Sequence, residues 1–163
     1  MRSKQYGFSL IELLIVVAVI LIVAAMAVPN LLRSRMAANE ASAVGSLRSI
    51  NTSQAVYEST YGPGFASKLF DLSDGGTPAN CVPPVVPTAT SACLIDPSLA
   101  GGAKSGYNFT YLPVVVGGVV SSYSVNGDPV SSGASGQRHF FTDQTLLIRA
   151  NLTVAATDAD PPI

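Results

Sequence analysis

Apolar residues fill one long segment near the start of the chain. Every residue from 13 to 28 is apolar, and no charged residue lies between Glu12 and Arg33, so residues 13–32 are an uninterrupted uncharged stretch. An α-helix needs about 20 predominantly apolar residues to cross a bilayer. The pattern therefore predicts a membrane-spanning helix over residues 13–32.

After this segment, apolar positions recur at alternating spacings of four and three residues, which is typical of one face of a helix. The positions on this stripe are Met36, Glu40, Ala43, Leu47, Ile50, Gln54, Tyr57 and Tyr61. Six of these eight residues are apolar or aromatic, so we expect the stripe to pack on a core. The polar residues Glu40 and Gln54 interrupt it.

The two patterns together predict one long helix over residues 8–61. Pro29 removes a backbone donor, so a kink or local melting is expected over residues 25–29, after which the helix resumes. Residues 62–64, Gly-Pro-Gly, end the helix. At 1.5 Å per residue the helix is roughly 80 Å long, too long for a small domain to bury. Its first half therefore needs lipid or neighbouring copies of itself as surroundings.

The sequence beyond the helix is rich in glycine and proline and predicts a different structure. Residues 62–105 are expected to be mostly loop. Residues 106–163 show period-two alternation at 107–111, a Gly-Gly hairpin at 117–118, a turn at 126–129, and two further strands at 137–142 and 145–151. The expected fold class is α+β: a long N-terminal helix whose second half packs on a small antiparallel sheet of about four strands.

Composition and charge support a membrane protein rather than a nucleic-acid-binding one. Hydrophobic residues make up 48% of the 163 residues and charged residues only 12%, which is unusually apolar for a soluble domain. The net charge of −1 is uneven, because residues 1–50 carry five basic and two acidic side chains whereas residues 51–163 carry four basic and eight acidic ones. A nucleic-acid surface needs clustered Lys and Arg, so no nucleic-acid site is expected.

The two cysteines, Cys81 and Cys93, would close a loop of 13 residues. A disulfide fits if the compartment is oxidising, and two inert thiols are the alternative. A zinc site would need about four ligands, whereas the chain adds only His139 to the two cysteines.

No constellation of residues indicates an enzyme, a cofactor or a metal site. His139 lies in a predicted strand and is expected to be a packed or surface residue. Residues 101–105 superficially resemble a phosphate-binding loop, but Ala103 stands where that motif requires glycine, so we expect a plain loop. Asp158 and Asp160 are too few oxygen donors for calcium, and a solvated tail is expected there.

Three interpretations of the apolar segment compete: a permanent anchor, a signal peptide, and the substrate of a special processing enzyme. A signal peptide would be cut after the Ala-Met-Ala of residues 25–27, before Val28. Glu12 argues against this, because a carboxylate at the head of an apolar run needs a partner. Cleavage between Gly7 and Phe8 would create an ammonium group one helical turn before Glu12.

The start of the chain resembles type IV prepilins and type II secretion pseudopilins over about residues 1–60. The residues that carry the resemblance, after a short basic leader, are Gly7-Phe8-Ser9-Leu10-Ile11-Glu12-Leu13. The resemblance implies that a prepilin peptidase removes the leader, residues 1–7, by cutting after Gly7 and then N-methylates Phe8. It also implies that Glu12 aligns subunits during assembly and that Pro29 is the family's helix-bending proline.

The function implied by this resemblance is that of a structural subunit, assembled through its N-terminal helix into a homo-oligomeric helical filament. Its partners would be the prepilin peptidase and the assembly machinery of the inner membrane. The chain would cross that membrane once with its head in the periplasm, and then enter an extracellular pilus serving adhesion, twitching motility or DNA uptake.

Two other functions remain open. A major pseudopilin of a type II secretion system would form a short periplasmic filament, but such proteins usually lack a cysteine pair and end with a calcium loop. Pilins often carry a disulfide, generally nearer the C-terminus than Cys81 and Cys93. A secreted or membrane-anchored binding protein, with the apolar segment as an address, is the remaining alternative.

Overall fold

The structure, a computed structural model, describes residues 8–163. Gly7 and the rest of the predicted leader lie outside the described residues. The chain divides into two compact units, Met1–Arg35 and Met36–Ile163, which are described separately. The second unit holds the sheet.

The first helix, α1, spans Leu10–Tyr61 and confirms the predicted long helix. It begins two residues after Phe8, and the Ser9 carbonyl accepts hydrogen bonds from the amides of Glu12 and Leu13 at 3.1 and 3.2 Å. The helix is continuous through Pro29, so the alternative of local melting over residues 25–29 is wrong. Proline removes a single donor, and the bonds on either side keep this turn helical. The kink itself stays a prediction.

The second half of α1 packs its stripe into the core of the head, as predicted. Ala43, Leu47 and Ile50 are completely buried. They join a cluster whose largest buried sheet side chains are Tyr107, Phe109, Tyr123 and Phe140. The four-and-three spacing of the stripe therefore predicted correctly which helix residues pack in the core.

The segment between α1 and the sheet is mostly irregular, as expected, with short helical turns. Two 3-10 helices span Leu69–Leu72 and Pro78–Cys81, and a four-residue helix, α2, spans Pro97–Ala100. The amides of residues 92–95 donate to the carbonyls of residues 71–73, which fixes this segment to the first 3-10 helix.

The sheet is an antiparallel meander in the order β1-β2-β3-β4-β5. Its strands are β1 Ala103–Lys104, β2 Tyr107–Val116, β3 Val119–Pro129, β4 His139–Asp143 and β5 Ile148–Asn151. The meander is confirmed with five strands instead of about four. The extra strand, β1, lies in residues 101–105, which were expected to be a loop.

The predicted turn at residues 126–129 is wrong, because β3 continues through them to Pro129. Gly127 pairs with Phe109 on one side and with Phe140 on the other. A Cβ on Gly127 would contact the Phe109 ring at 3.4 Å and the Leu47 side chain at 3.7 Å. The glycine therefore makes room for aromatic packing rather than turning the chain.

The C-terminal tail is largely exposed, as expected, but it is also attached to the sheet, which was not expected. The amide of Ala150 donates to the Pro161 carbonyl at 3.3 Å, and the amide of Ile163 donates to the Ile148 carbonyl at 3.0 Å. Ala156 is 1% exposed, and its carbonyl accepts from the Asn126 side chain. The last three residues thus pair along the edge of β5, whereas Ala156 lies on the outer face beside Asn126.

Candidate assembly site and its attachment to the head

The large apolar side chains in the first half of α1 are exposed. Phe8, Leu10 and Met26 are 77%, 81% and 76% exposed, and all the other large apolar side chains of residues 8–32 are exposed too. Among the described residues, α1 is the one helix long and apolar enough to cross a membrane by length and composition. A signal sequence passes the same test. The exposed apolar surface of this segment is of the kind that lipid or other apolar helices cover.

The predicted processing and assembly residues lie at the start of this segment. Phe8 is exposed and precedes the helix, whereas Gly7 lies outside the described residues. Glu12 is the third residue of α1, in the first turn. Within residues 8–163, no basic side chain forms an ion pair with Glu12. Its carboxylate is therefore available to a cation supplied from elsewhere, and the positive end of the helix dipole favours a negative charge there.

Glu40, the first polar interruption of the stripe, attaches α1 to the chain segment before β4. Its carboxylate accepts from the amides of Gln137 and Arg138 at 2.9 and 3.3 Å, and from Arg138 Nε at 2.7 Å. Burial by itself raises the pKa of Glu40, but these hydrogen bonds and the guanidinium charge together hold its pKa below the ordinary value. Glu40 is thus held as a carboxylate with an assigned partner for each oxygen.

Gln54, the second interruption, is completely buried and joins α1 to two other segments. Its carbonyl oxygen accepts from the Ala66 amide at 2.9 Å, and its amide nitrogen donates to the Tyr111 hydroxyl at 2.9 Å. Tyr111 in turn donates to the Ala66 carbonyl. Gln54, Tyr111 and Ala66 thus form a closed set of hydrogen bonds, in which both polar atoms of the buried Gln54 side chain have a partner.

Asn51 is a third attachment, and it was missed because it lies beside the stripe rather than on it. Its amide nitrogen donates to Thr142 Oγ1 at 2.7 Å, and its carbonyl oxygen accepts from the Tyr123 hydroxyl at 3.1 Å. Asn51 is only 4% exposed. A polar residue flanking an apolar helical stripe was the only signal available in the sequence.

The structure joins Cys81 and Cys93 in a disulfide with their Cα atoms 5.6 Å apart. The disulfide prediction is therefore confirmed and the alternative of two free thiols is wrong. Cys93 lies in the segment fixed to residues 71–73, and its amide donates to the Ser73 carbonyl at 2.8 Å. The bridge thus holds the proline-rich residues 82–87 close to an anchored part of the head.

The remaining candidate residues have structural roles. His139 Nδ1 lies 2.7 Å from Asp128 Oδ1, and Lys104 Nζ lies 2.7 Å from Asp96 Oδ2. Asp160 accepts from the Thr157 amide and from the Asn151 side chain, which lower its pKa. Across residues 8–163, no three His, Cys, Asp or Glu side chains are grouped so as to hold a metal ion.

Comparison with known proteins finds two similarities. Residues 2–28 match the family model described as the prokaryotic N-terminal methylation motif. The chain is also 40% identical over 99 residues to the type IV wide pilus major component PilA4 of Thermus thermophilus. The aligned region covers 58% of this chain and 74% of that protein. No solved structure matches the chain.

Proposed function

This chain belongs to the type IV pilin family, and from that premise we propose that it is a subunit of a helical filament assembled through the apolar half of α1. The observation that carries the proposal is the exposure of all the large apolar side chains of residues 8–32 in a chain of this family. A membrane before assembly and neighbouring helices afterwards are both dry surroundings, so both can cover the same surface.

Processing precedes assembly in this proposal. The prepilin peptidase removes residues 1–7 by cutting after Gly7, and the new amino terminus at Phe8 is then N-methylated. The match to the methylation motif over residues 2–28 supports this step. So does the position of Phe8, which is exposed and lies before the first helical residue, Leu10.

Glu12 guides assembly by pairing with the amino terminus of a neighbouring Phe8. A carboxylate among apolar helices is strongly disfavoured unless a cation neutralises it. Each new subunit brings one such cation, its own terminal ammonium group. The pairing therefore favours the one axial position at which these two charges meet.

The same premise places the chain in the cell. Before assembly it crosses the inner membrane once through residues 13–32, with the head in the periplasm, and it enters the filament with the help of the membrane assembly machinery. We propose a pilus acting in adhesion, twitching motility or DNA uptake rather than a type II secretion pseudopilus. The pilus name of the relative and the disulfide of the head both favour this choice.

The test compares Glu12→Leu and Glu12→Ala with a matched control, Glu58→Ala, in the native host. Glu58 is an exposed glutamate near the other end of the same helix. We expect all three variants to be processed, and the two Glu12 variants to give no filaments by shearing and electron microscopy while the control assembles normally. Normal filaments from Glu12→Leu would contradict the role of Glu12.

Mass spectrometry of the mature chain tests the processing step separately. We expect its first residue to be N-methylated Phe8. A chain that starts at Val28 would have lost the apolar helix to a signal peptidase, and the filament proposal would then be wrong.

A further inference from the structure

The β2–β3 hairpin carries an exposed apolar patch. Leu112, Val114 and Val116 are 54%, 52% and 63% exposed. Because side chains alternate along a strand, these three share the face of β2 opposite Tyr107 and Phe109, which lie in the core. We call Leu112, Val114 and Val116 the hairpin patch.

The β2–β3 hairpin itself carries no charged side chain, and the nearest charged residue across the sheet from Leu112 is Asp143, which pairs with Ser124. Across the sheet, Leu112 pairs with Ser124 and Val114 pairs with Ser122, so short side chains surround the larger apolar ones. No charged residue occurs anywhere from Ser105 to Gly127. Proteins commonly protect exposed apolar strands with charges, and their absence here indicates a surface that becomes covered.

Within residues 8–163, no other segment buries this patch. The C-terminal segment docks on the other end of the outer face, where the Asn126 side chain donates to the Ala156 carbonyl at 2.8 Å. The hairpin end of the same face stays bare. The patch is therefore open to contact with another molecule.

The way in which the strand edge is built indicates how that molecule binds. β1 pairs only with Tyr107 and Asn108, so the remainder of this edge of β2 has no partner strand within the described residues. Pro113 lies in the middle of this edge and has no N–H to give to an added strand. Addition of a strand from another molecule to this edge is thus disfavoured. The remaining mode of binding is contact with the side chains of the hairpin patch.

We propose that the hairpin patch is a contact between heads in the filament and that its occupant is a second copy of this chain. The inference rests on the proposed function, because a filament holds copies of the head at high local concentration. Residues 51–163 carry four basic and eight acidic side chains, so identical heads have the same net negative charge and repel one another at long range. The uncharged hairpin is where two copies meet without this repulsion.

Val114→Glu combined with Val116→Glu tests the proposal, with Thr110→Glu as the matched control on the same face of β2. We expect the double variant to give about tenfold fewer filaments, or filaments that dissociate at correspondingly lower heat or detergent, since tenfold corresponds to only 1.4 kcal/mol of contact energy. The control should assemble like the wild type. The unfolding temperature of the full chain in detergent should be unchanged, because the replaced side chains are exposed.

A photo-crosslinker tests the identity of the occupant. With benzoylphenylalanine in place of Val116, illumination of intact filaments should give a covalent dimer of this chain, and detergent-dispersed subunits should give none. Assembly of the double variant at wild-type yield and stability would overturn the inference, as would a filament without dimers. Loss of surface attachment by otherwise normal filaments would also overturn it, since the patch would then serve a foreign surface. If the wild type forms no filament, the proposed function itself fails.

Discussion

Glu40 provides a direct test of how the second half of α1 is held to the head. Glutamine at this position keeps the length of the side chain and one carbonyl oxygen, which still accepts from the amides of Gln137 and Arg138. The negative charge is lost, and the second oxygen, which accepts from Arg138 Nε, becomes an amide group facing another donor. Glu40→Gln therefore removes the charged interaction with little change of shape.

The size of the effect follows from the exposure of the two partners. The Glu40 side chain is 13% exposed and the Arg138 side chain 41%, so the guanidinium regains water easily when its partner is lost. A hydrogen bond to a charged group contributes about 1.5–3 kcal/mol and a neutral one about 0.5–1.5 kcal/mol. We expect Glu40→Gln to lower the free energy of unfolding by about 2 kcal/mol. Glu40→Ala, which leaves the Gln137 and Arg138 amides without their acceptor, should cost about 3 kcal/mol.

The assay is denaturant unfolding of the full chain in detergent, followed by tyrosine circular dichroism, since the chain has six tyrosines and no tryptophan. Glu58→Gln is the control, and an exposed site of this kind should change stability by less than about 0.5 kcal/mol. The folded-state pKa of Glu40 is depressed, so its contribution is fully present above the unfolded pKa of about 4.3 and disappears as the pH falls through the folded pKa. The wild type and Glu40→Gln should therefore converge in stability in acid. A difference that stays constant from pH 7 to pH 2 would refute a charged role for Glu40.

Two further predictions concern the head. A Cβ on Gly136 would meet the buried ring of Tyr107, with Cζ at 2.7 Å, so Gly136→Ala should destabilise the head by about 1–3 kcal/mol in the same assay. Gly45, in an exposed helical position with open space around it, is the control: Gly45→Ala should stabilise by about 0.5–1 kcal/mol. Equal effects of the two substitutions would contradict the packing argument. Replacing Cys81 and Cys93 by serine should cost about 3 kcal/mol through the loop that the bridge closes, and should make residues 82–92 sensitive to proteases; unchanged stability together with unchanged resistance would refute this role.

The long helix and the meander were predictable because both depend on local periodicity. Leu47 and Ile50 are buried at the positions that the four-and-three spacing assigns to them. The alternation of Tyr107 and Phe109 with polar neighbours likewise gave the correct face of β2. In both elements, the residues that determine the pattern lie within a few positions of one another.

The rest depended on contacts between distant residues, which a local pattern does not contain. Gly127 has the composition of a turn but lies between two aromatic side chains contributed by other strands. Glu40 was recognised as an interruption, but its partner Arg138 is 98 residues away. Asp160 bonds to Thr157 within the tail, but the tail is also tied to β5 through Asn151, a contact that the local pattern did not show. Each of these needed the tertiary structure to explain it.

The three polar attachments of α1 also have a mechanical consequence. Gln54 lies 14 positions after Glu40, so Glu40, Asn51 and Gln54 are distributed over roughly 21 Å of helix, and each is bonded to a different segment of the head. A pulling force along the helix axis loads all three in shear at the same time, whereas an apolar stripe alone could slide by one turn and repack. We expect the head of a filament under tension to stay in register with its helix until several bonds break together.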